Sequence, residues 1–103
     1  MKTYKYAKVH PQYHVEMYST DPQVINWILS ELKKIIPTFS FTRKSTTDFS
    51  GKAFEFRIDQ LQNKDYIVGM WIIQQLCQNG WEPFGVTGNG DDEIIHLRLE
   101  INE

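Results

Sequence analysis

Residues 77–86, CQNGWEPFGV, decide how the second half of the chain is read. Upstream of them, YIVGMWIIQQLC is an apolar run too long for a typical strand, and it ends in Asn79-Gly80. That predicts a helix over about residues 64–79 with Asn63 as its N-cap. Gly80 is the residue best able to take the left-handed conformation just past a helix end, and Trp81 is the hydrophobic residue that folds back on the last turn. Glu82 through Thr87 then alternate as a strand, and Asn89-Gly90 marks a tight turn. EIIHLRLEI closes the chain as a strand with Ile95, Leu97, Leu99 and Ile101 aligned. The motif therefore reads as a helix end and a strand start, not as a catalytic site. Tyr66, Gly69, Ile73, Leu76 and Cys77 mark the expected inner face of the helix, where Gly69 permits close approach to a neighbour.

The first half reads in the same way. Asp21-Pro22 starts a helix, Asp21 as side-chain cap and Pro22 holding the helical φ. Apolar residues at Val24, Ile25, Ile28, Leu29, Leu32, Ile35 and Ile36 then follow one helical face. Lys33 and Lys34 suit the last turn, and Pro37 stops the helix, which spans about 22–36. TFSFTRK (38–44) and KAFEFRI (52–58) alternate as half-buried strands, with Phe39 and Phe41 inward on the first, and Phe54, Phe56 and Ile58 on the second. The polar STTDFSG between them closes a hairpin. YHVEMY (13–18) alternates clearly and TYKYAKV (3–9) only loosely. His10-Pro11-Gln12 between them gives either a hairpin or one strand bent at Pro11.

The order is strand or hairpin, helix, hairpin, helix, hairpin. Each strand is polar on one side, and each helix has one apolar face. The expectation is one α+β domain over residues 1–103: a ferredoxin-like antiparallel sheet with both helices on one face, order β(β)αββαββ. No internal repeat emerges in the residues, although helix-then-hairpin recurs as an architectural unit.

Composition excludes several function classes. The 103 residues suffice for one core. Eleven Lys plus Arg against 13 Asp plus Glu leave a net charge of −2, so nucleic acid and anionic membranes are disfavoured partners. No apolar run approaches the roughly 20 residues of a spanning helix. The single Cys77 has no internal disulfide partner, and the N-terminal residues lack a signal-peptide layout, so a cytoplasmic setting is expected. No metal or other cofactor is expected, because no Cys or His pair has ligand spacing, and the carboxylates of GNGDDE would repel a phosphate.

Two resemblances bear on function. Leu76, Gly80, Trp81, Glu82 and Val86, over about the last third of the chain, resemble the helix–Gly-Trp-Glu–strand ending of small bacterial domains of unknown function. Pro83 departs from their pattern, and the resemblance implies a small module without a known reaction. GKAFEF resembles the RNP1 strand of RNA-recognition domains through Gly51, Ala53 and Phe54, which implies RNA binding. Lys52, Glu55 and Arg57 depart from that element, and strand parity buries Phe54, Phe56 and Ile58 instead of exposing a stacking ring.

Two surfaces stand out. The open sheet face should carry His14, Glu16, Glu55, Arg57, His96 and Arg98 as a candidate ligand face, against the simpler reading of a solvated face with cross-strand charge pairs. On the helices, Trp27 falls with Glu31 and Lys34 outside the first apolar stripe, and Trp71 with Ile67, Gln74 and Gln78 outside the second. These residues are the candidate interface, unless the N-terminal segment with Tyr4 and Tyr6 folds over one of the rings. The leading expectation is a non-catalytic assembly module with a protein partner, most simply a second copy. The alternative is a small-ligand binder or enzyme using the sheet face.

Overall fold

The computed structural model describes residues 2–11, 15–36, 39–48, 51–60 and 65–101. Tyr13, His14, Pro37 and Asn63, to which the sequence reading assigns roles, lie outside the described residues, as does the side chain of Tyr66. The elements are β1 (Thr3–His10), β2 (Glu16–Ser19), α1 (Pro22–Ile35), β3 (Ser40–Asp48), β4 (Gly51–Gln60), α2 (Asp65–Gln78), β5 (Glu82–Thr87), a short 3₁₀ turn (Gly90–Asp92) and β6 (Ile94–Ile101). The six strands form one antiparallel sheet in the order β3-β4-β2-β1-β6-β5, consistent with a ferredoxin-like topology.

Each helix forms where its ends are satisfied. Asp21 caps α1 by accepting from the Gln23 amide at 3.0 Å, with Pro22 in the first turn and Lys33 and Lys34 in the last. At the end of α2 the Trp81 amide reaches the Leu76 carbonyl at 3.0 Å and the Gly80 amide reaches Cys77 at 3.2 Å, the two bonds of a Schellman cap. Gly80 sits at φ 92° and Trp81 is buried. NGWEPF is therefore the helix end that its residues announce.

Both helices cover the same sheet face. α1 lies on β2 and β4, and α2 lies on β1 and β5. Ile25, Ile28 and Leu32 of α1 and Val68, Ile72 and Leu76 of α2 join Val9, Met17, Phe56 and Leu97 of the sheet in one buried cluster. Arg43 of β3 also donates to the Asn26 side chain of α1 at 2.6 Å, tying that edge to the helix.

The pairing pattern contains an internal two-fold relation centred on the Lys8–Tyr18 pair. Across it Ala7 corresponds to Met17, and their partners correspond in turn: Leu97 beside Ala7, Phe56 beside Met17. So β1 stands to β6, β5 and α2 as β2 stands to β4, β3 and α1. Trp27 stands to Val24 and Ile28 as Trp71 stands to Val68 and Ile72. The recurrence of helix and hairpin is thus a spatial repeat with little residue identity.

Four details differ from the sequence reading. Cys77 is exposed and Ile73 only partly buried, while Val68, Gly69, Ile72 and Leu76 face the sheet. The inner face of α2 is therefore rotated from the expected one. Its position is set by Gly69, because a Cβ there would fall against the Pro11 carbonyl and 2.5 Å from the Pro11 Cα. Asn89-Gly90 is not a two-residue turn, since Asn89 is extended at φ −134° where a type I′ turn needs positive φ. Gly88 and Gly90 take positive φ instead, within a longer connection. Finally, β3 and β4 extend through most of STTDFSG, and a register irregularity between Pro83 and Gly85 interrupts β5.

Gly80→Ala should lower stability by about 1 kcal/mol, through the strained φ. Gly69→Ala should cost about 2 kcal/mol or more by overpacking, despite alanine's better helix propensity. Urea denaturation midpoints measure both, and an alanine variant with the wild-type midpoint would refute the corresponding contact.

Candidate functional site

The open sheet face follows from strand parity. With Ala7 and Val9 of β1 buried under the helices, Tyr4, Tyr6, Lys8 and His10 point the other way. The register then aligns Lys8 with Tyr18 of β2 and His96 of β6, and Tyr6 with Arg98. The face divides into two unlike halves.

The β2-β4-β3 half is polar. Arg57 lies 3.9 Å from Glu16, Lys44 lies 3.7 Å from Glu55, and the Thr42 hydroxyl donates to Asp59 at 3.0 Å. These groups surround a depression of about 150 Å³. Such exposed pairs contribute about 0–1 kcal/mol each, so this half behaves as the solvated, charge-paired face of the simpler reading.

The β1-β6-β5 half is built from rings. Tyr6 lies 6.0 Å from Tyr18 edge-on, 6.1 Å from Phe84, and 5.9 Å from His96 in a stacked arrangement. Its hydroxyl shares a 2.5 Å hydrogen bond with His96 Nδ1, while Thr87 Oγ1 shares one with Nε2 at 2.9 Å. Both hydroxyls can donate or accept, so either neutral tautomer is satisfied. Both ring nitrogens of His96 are thus engaged by neighbouring hydroxyls, which fixes the orientation of the ring. Two cations complete the half. Lys8 lies 5.0 Å over Tyr18, and Arg98 lies 4.7 Å over Tyr4 and 5.5 Å over Phe84.

Burial places Tyr6 in a setting that disfavours its phenolate, and Tyr18 adds like-charge repulsion, so its pKa is raised above 10.0. The backbone beneath it is pinned as well. The Tyr6 carbonyl accepts from Ser19 Oγ at 3.0 Å and from the Thr20 amide at 3.1 Å, and the Tyr6 amide donates to Thr20 Oγ1 at 3.2 Å.

The structure thus brings Glu16, Glu55 and Arg57 together in one half, and His96 and Arg98 in the other, with His14 outside the described residues. Tyr4, Tyr6, Lys8 and Phe84 are the members that sequence reasoning missed. Tyr4 and Tyr6 share parity opposite to Ala7 and Val9, a signal blurred by Lys5. That lysine points to the helix side and is held there by Asp21 at 3.1 Å. Pro83 and the irregular register hide Phe84.

On the helical layer, Ile67, Gln74 and Gln78 are exposed as expected, and Lys34 bonds Glu31 at 3.0 Å. Trp27 and Trp71, however, are half-buried and pack against the core cluster. Neither ring is covered by Tyr4 or Tyr6, which lie on the opposite sheet face. Trp71 instead lines an apolar groove of about 300 Å³ between the end of α1 and the start of α2, with Leu32, Ile35, Ile36, Ile67 and Val68.

Among the described residues no three His, Cys, Asp or Glu are placed to hold a metal ion, and no helix is long and apolar enough to cross a membrane. Comparison with known proteins returns no matching family model, curated relative or solved structure.

Tyr6→Phe removes the hydroxyl that orders His96 and should lower stability by about 1 kcal/mol at neutral pH. Between pH 10.0 and the raised folded pKa, Tyr6 of the wild type is neutral when folded but ionised when unfolded. Its share of stability is therefore complete below pH 10.0 and lost as pH rises through the folded pKa. The difference between wild type and Tyr6→Phe in denaturation free energy should shrink over that alkaline range, and a difference independent of pH there would refute the raised pKa.

Proposed function

We propose that this protein is a non-catalytic assembly module that pairs with a second copy of itself through the helical layer. The observation that carries the reading is the outer face of α2. From Tyr66 to Gln78 the helix has no charged residue, and at Ile67 and Met70 it is apolar on the side away from the sheet as well as on the side toward it. Ile67 is 66% exposed and Met70 44% exposed, beside Ile35 of α1 at 57%. A contiguous exposed apolar patch of this kind is the usual mark of a contact surface. Continuous with this ridge is the groove floored by Leu32 and Val68, which supplies the concave counterpart.

Charge favours a second copy as the occupant. A two-fold contact brings the same patch of both chains together, so charges near the axis would meet their like. The α2 patch has none, and Gln74 and Gln78 give it a polar rim that can hydrogen-bond with itself. Packing two such helices ridge into groove would bury Ile67, Met70 and Ile35 of both chains. In this reading Trp71 is the wall of the groove and Trp27 its counterpart on α1, with Glu31 and Lys34 at the periphery.

Ile67→Lys combined with Met70→Glu tests the reading without entering the core. Light-scattering mass at high micromolar concentration should fall from two chains to one, while the circular dichroism and melting temperature of the monomer stay close to those of the wild type. A wild-type chain that remains monomeric at that concentration would refute the pairing.

A further inference from the structure

We infer that Tyr4, Arg98 and Phe84 on the open sheet face form a docking site for an acidic peptide segment of a protein partner. Arg98 takes one Asp or Glu carboxylate, and the two rings take the apolar side chains that flank it. The site lies on the sheet face away from the helices and is independent of pairing through them.

Three observations converge on it. First, Arg98 is held in place before any ligand arrives. Its guanidinium lies over two ring faces, 4.7 Å from Tyr4 and 5.5 Å from Phe84, and such contacts fix a side chain that otherwise loses rotamer freedom on binding. Second, its hydrogen-bonding capacity is under-used. Nε is buried with no hydrogen-bond partner, and the ion pair with Glu82 is 3.7 Å long, beyond hydrogen-bonding distance. Nε itself is out of a ligand's reach, and the guanidinium is open to a ligand only through its partly exposed terminal nitrogens. A carboxylate offers two oxygens to that planar fork and displaces only the loose contact with Glu82. Third, the rings on either side remain partly open, Tyr4 40% and Phe84 50% exposed, although Tyr6 and His96 beside them are locked by their shared hydrogen bond. Exposed aromatics around an arginine are the composition of a protein-binding hot spot.

Charge decides the class of partner. Glu82 and Glu100 flank Arg98, Glu16 and Glu55 lie farther across the sheet, and the whole chain carries −2. A chain of phosphates would meet these carboxylates at successive repeats, as would an anionic membrane. A single carboxylate set among apolar residues competes only with Glu82 for Arg98, and its flanking side chains meet rings instead of charges. The polar half contains a counterpart arginine, Arg57, but its register neighbours are Glu16 and Thr42 where Arg98 has Tyr6 and Glu82, so no ring stands directly beside it in the register.

The probe is a pair of blocked pentapeptides, Ala-Phe-Asp-Phe-Ala and the same peptide with Asn in place of Asp, titrated into the full chain and followed by NMR. The Asp peptide should bind about tenfold more tightly than the Asn peptide, the scale of a charge-assisted hydrogen bond, and should shift the Arg98 side-chain resonance and the Tyr4 and Phe84 ring protons. Arg98→Gln should abolish the preference for Asp, Arg57→Gln should leave it, and Phe84→Ser should weaken the Asp peptide severalfold without touching the guanidinium. Ile67→Lys with Met70→Glu should bind the peptide as the wild type does, so failure of the helical pairing and failure of this site are read separately. Equal affinity for the two peptides, absence of binding, loss of the preference in Arg57→Gln, or tighter salt-sensitive binding of a uridine oligomer would each overturn the assignment.

Discussion

Everything else in the molecule hangs on the antiparallel seam between β1 and β2. These two strands occupy the middle of the sheet, and each pairs on its far side with the inner strand of one helix–hairpin unit. The seam is reinforced at one end, where Ser19 and Thr20 bond to the Tyr6 backbone, and the Ser19 hydroxyl also receives the amide of Asp21, the cap of α1. One short stretch therefore sets the strand register, the entry of the first helix and the position of the central tyrosine. A slip of one residue here would send Ala7, Val9 and Met17 to solvent and carry the rings into the core.

Because the two halves share a pairing scheme but few residues, the same architecture presents different chemistry on each side of its internal axis. Across the open face, ion pairs and a threonine occupy one half, and rings with cations over them occupy the other. Burying apolar side chains beneath the helices holds both halves, at about 25 cal/mol per Å² of area removed from water, so the outward residues are free to diverge without loss of the core. The helical layer is also asymmetric in character. α1 is amphipathic, with Gln23, Asn26, Lys33 and Lys34 facing water, whereas α2 has no charge after Asp65 and turns Ile67 and Met70 outward beside Gln74 and Gln78.

The course of the chain was largely legible because local chemistry and tertiary structure agree there. Asp21-Pro22, Asn79-Gly80-Trp81 and the alternation around Phe54, Phe56 and Ile58 each have one good solution, and the chain takes it. The orientation of α2 was not legible. With apolar residues on every side, periodicity does not choose between Val68 and Ile72 inward or Ile73 and Cys77 inward, and the choice falls to the meeting of Gly69 with Pro11, far apart in the chain. The tryptophans sit at the border of their helical stripes, where wheel angle alone overstates exposure and both rings pack against the core cluster. On the sheet face, Glu16, Glu55, Arg57, His96 and Arg98 were found by parity. Of the rings that give Arg98 its setting, Tyr4 comes from a strand whose alternation is broken by a lysine reaching for a helix cap, and Phe84 from one whose register is interrupted beside Pro83.

The interrupted register of β5 has a consequence for how copies of this protein can meet. β5 pairs only with β6, so its other side is an edge, and an unbroken edge invites a further strand from another chain. Pro83 has no N–H to offer, and the irregularity before Gly85 breaks the regular spacing of donors and acceptors. At the far end, β3 carries Arg43 and Lys44, which would lie against their own kind in a symmetric extension of the sheet. Both ends are thus poor templates for open-ended growth into fibres.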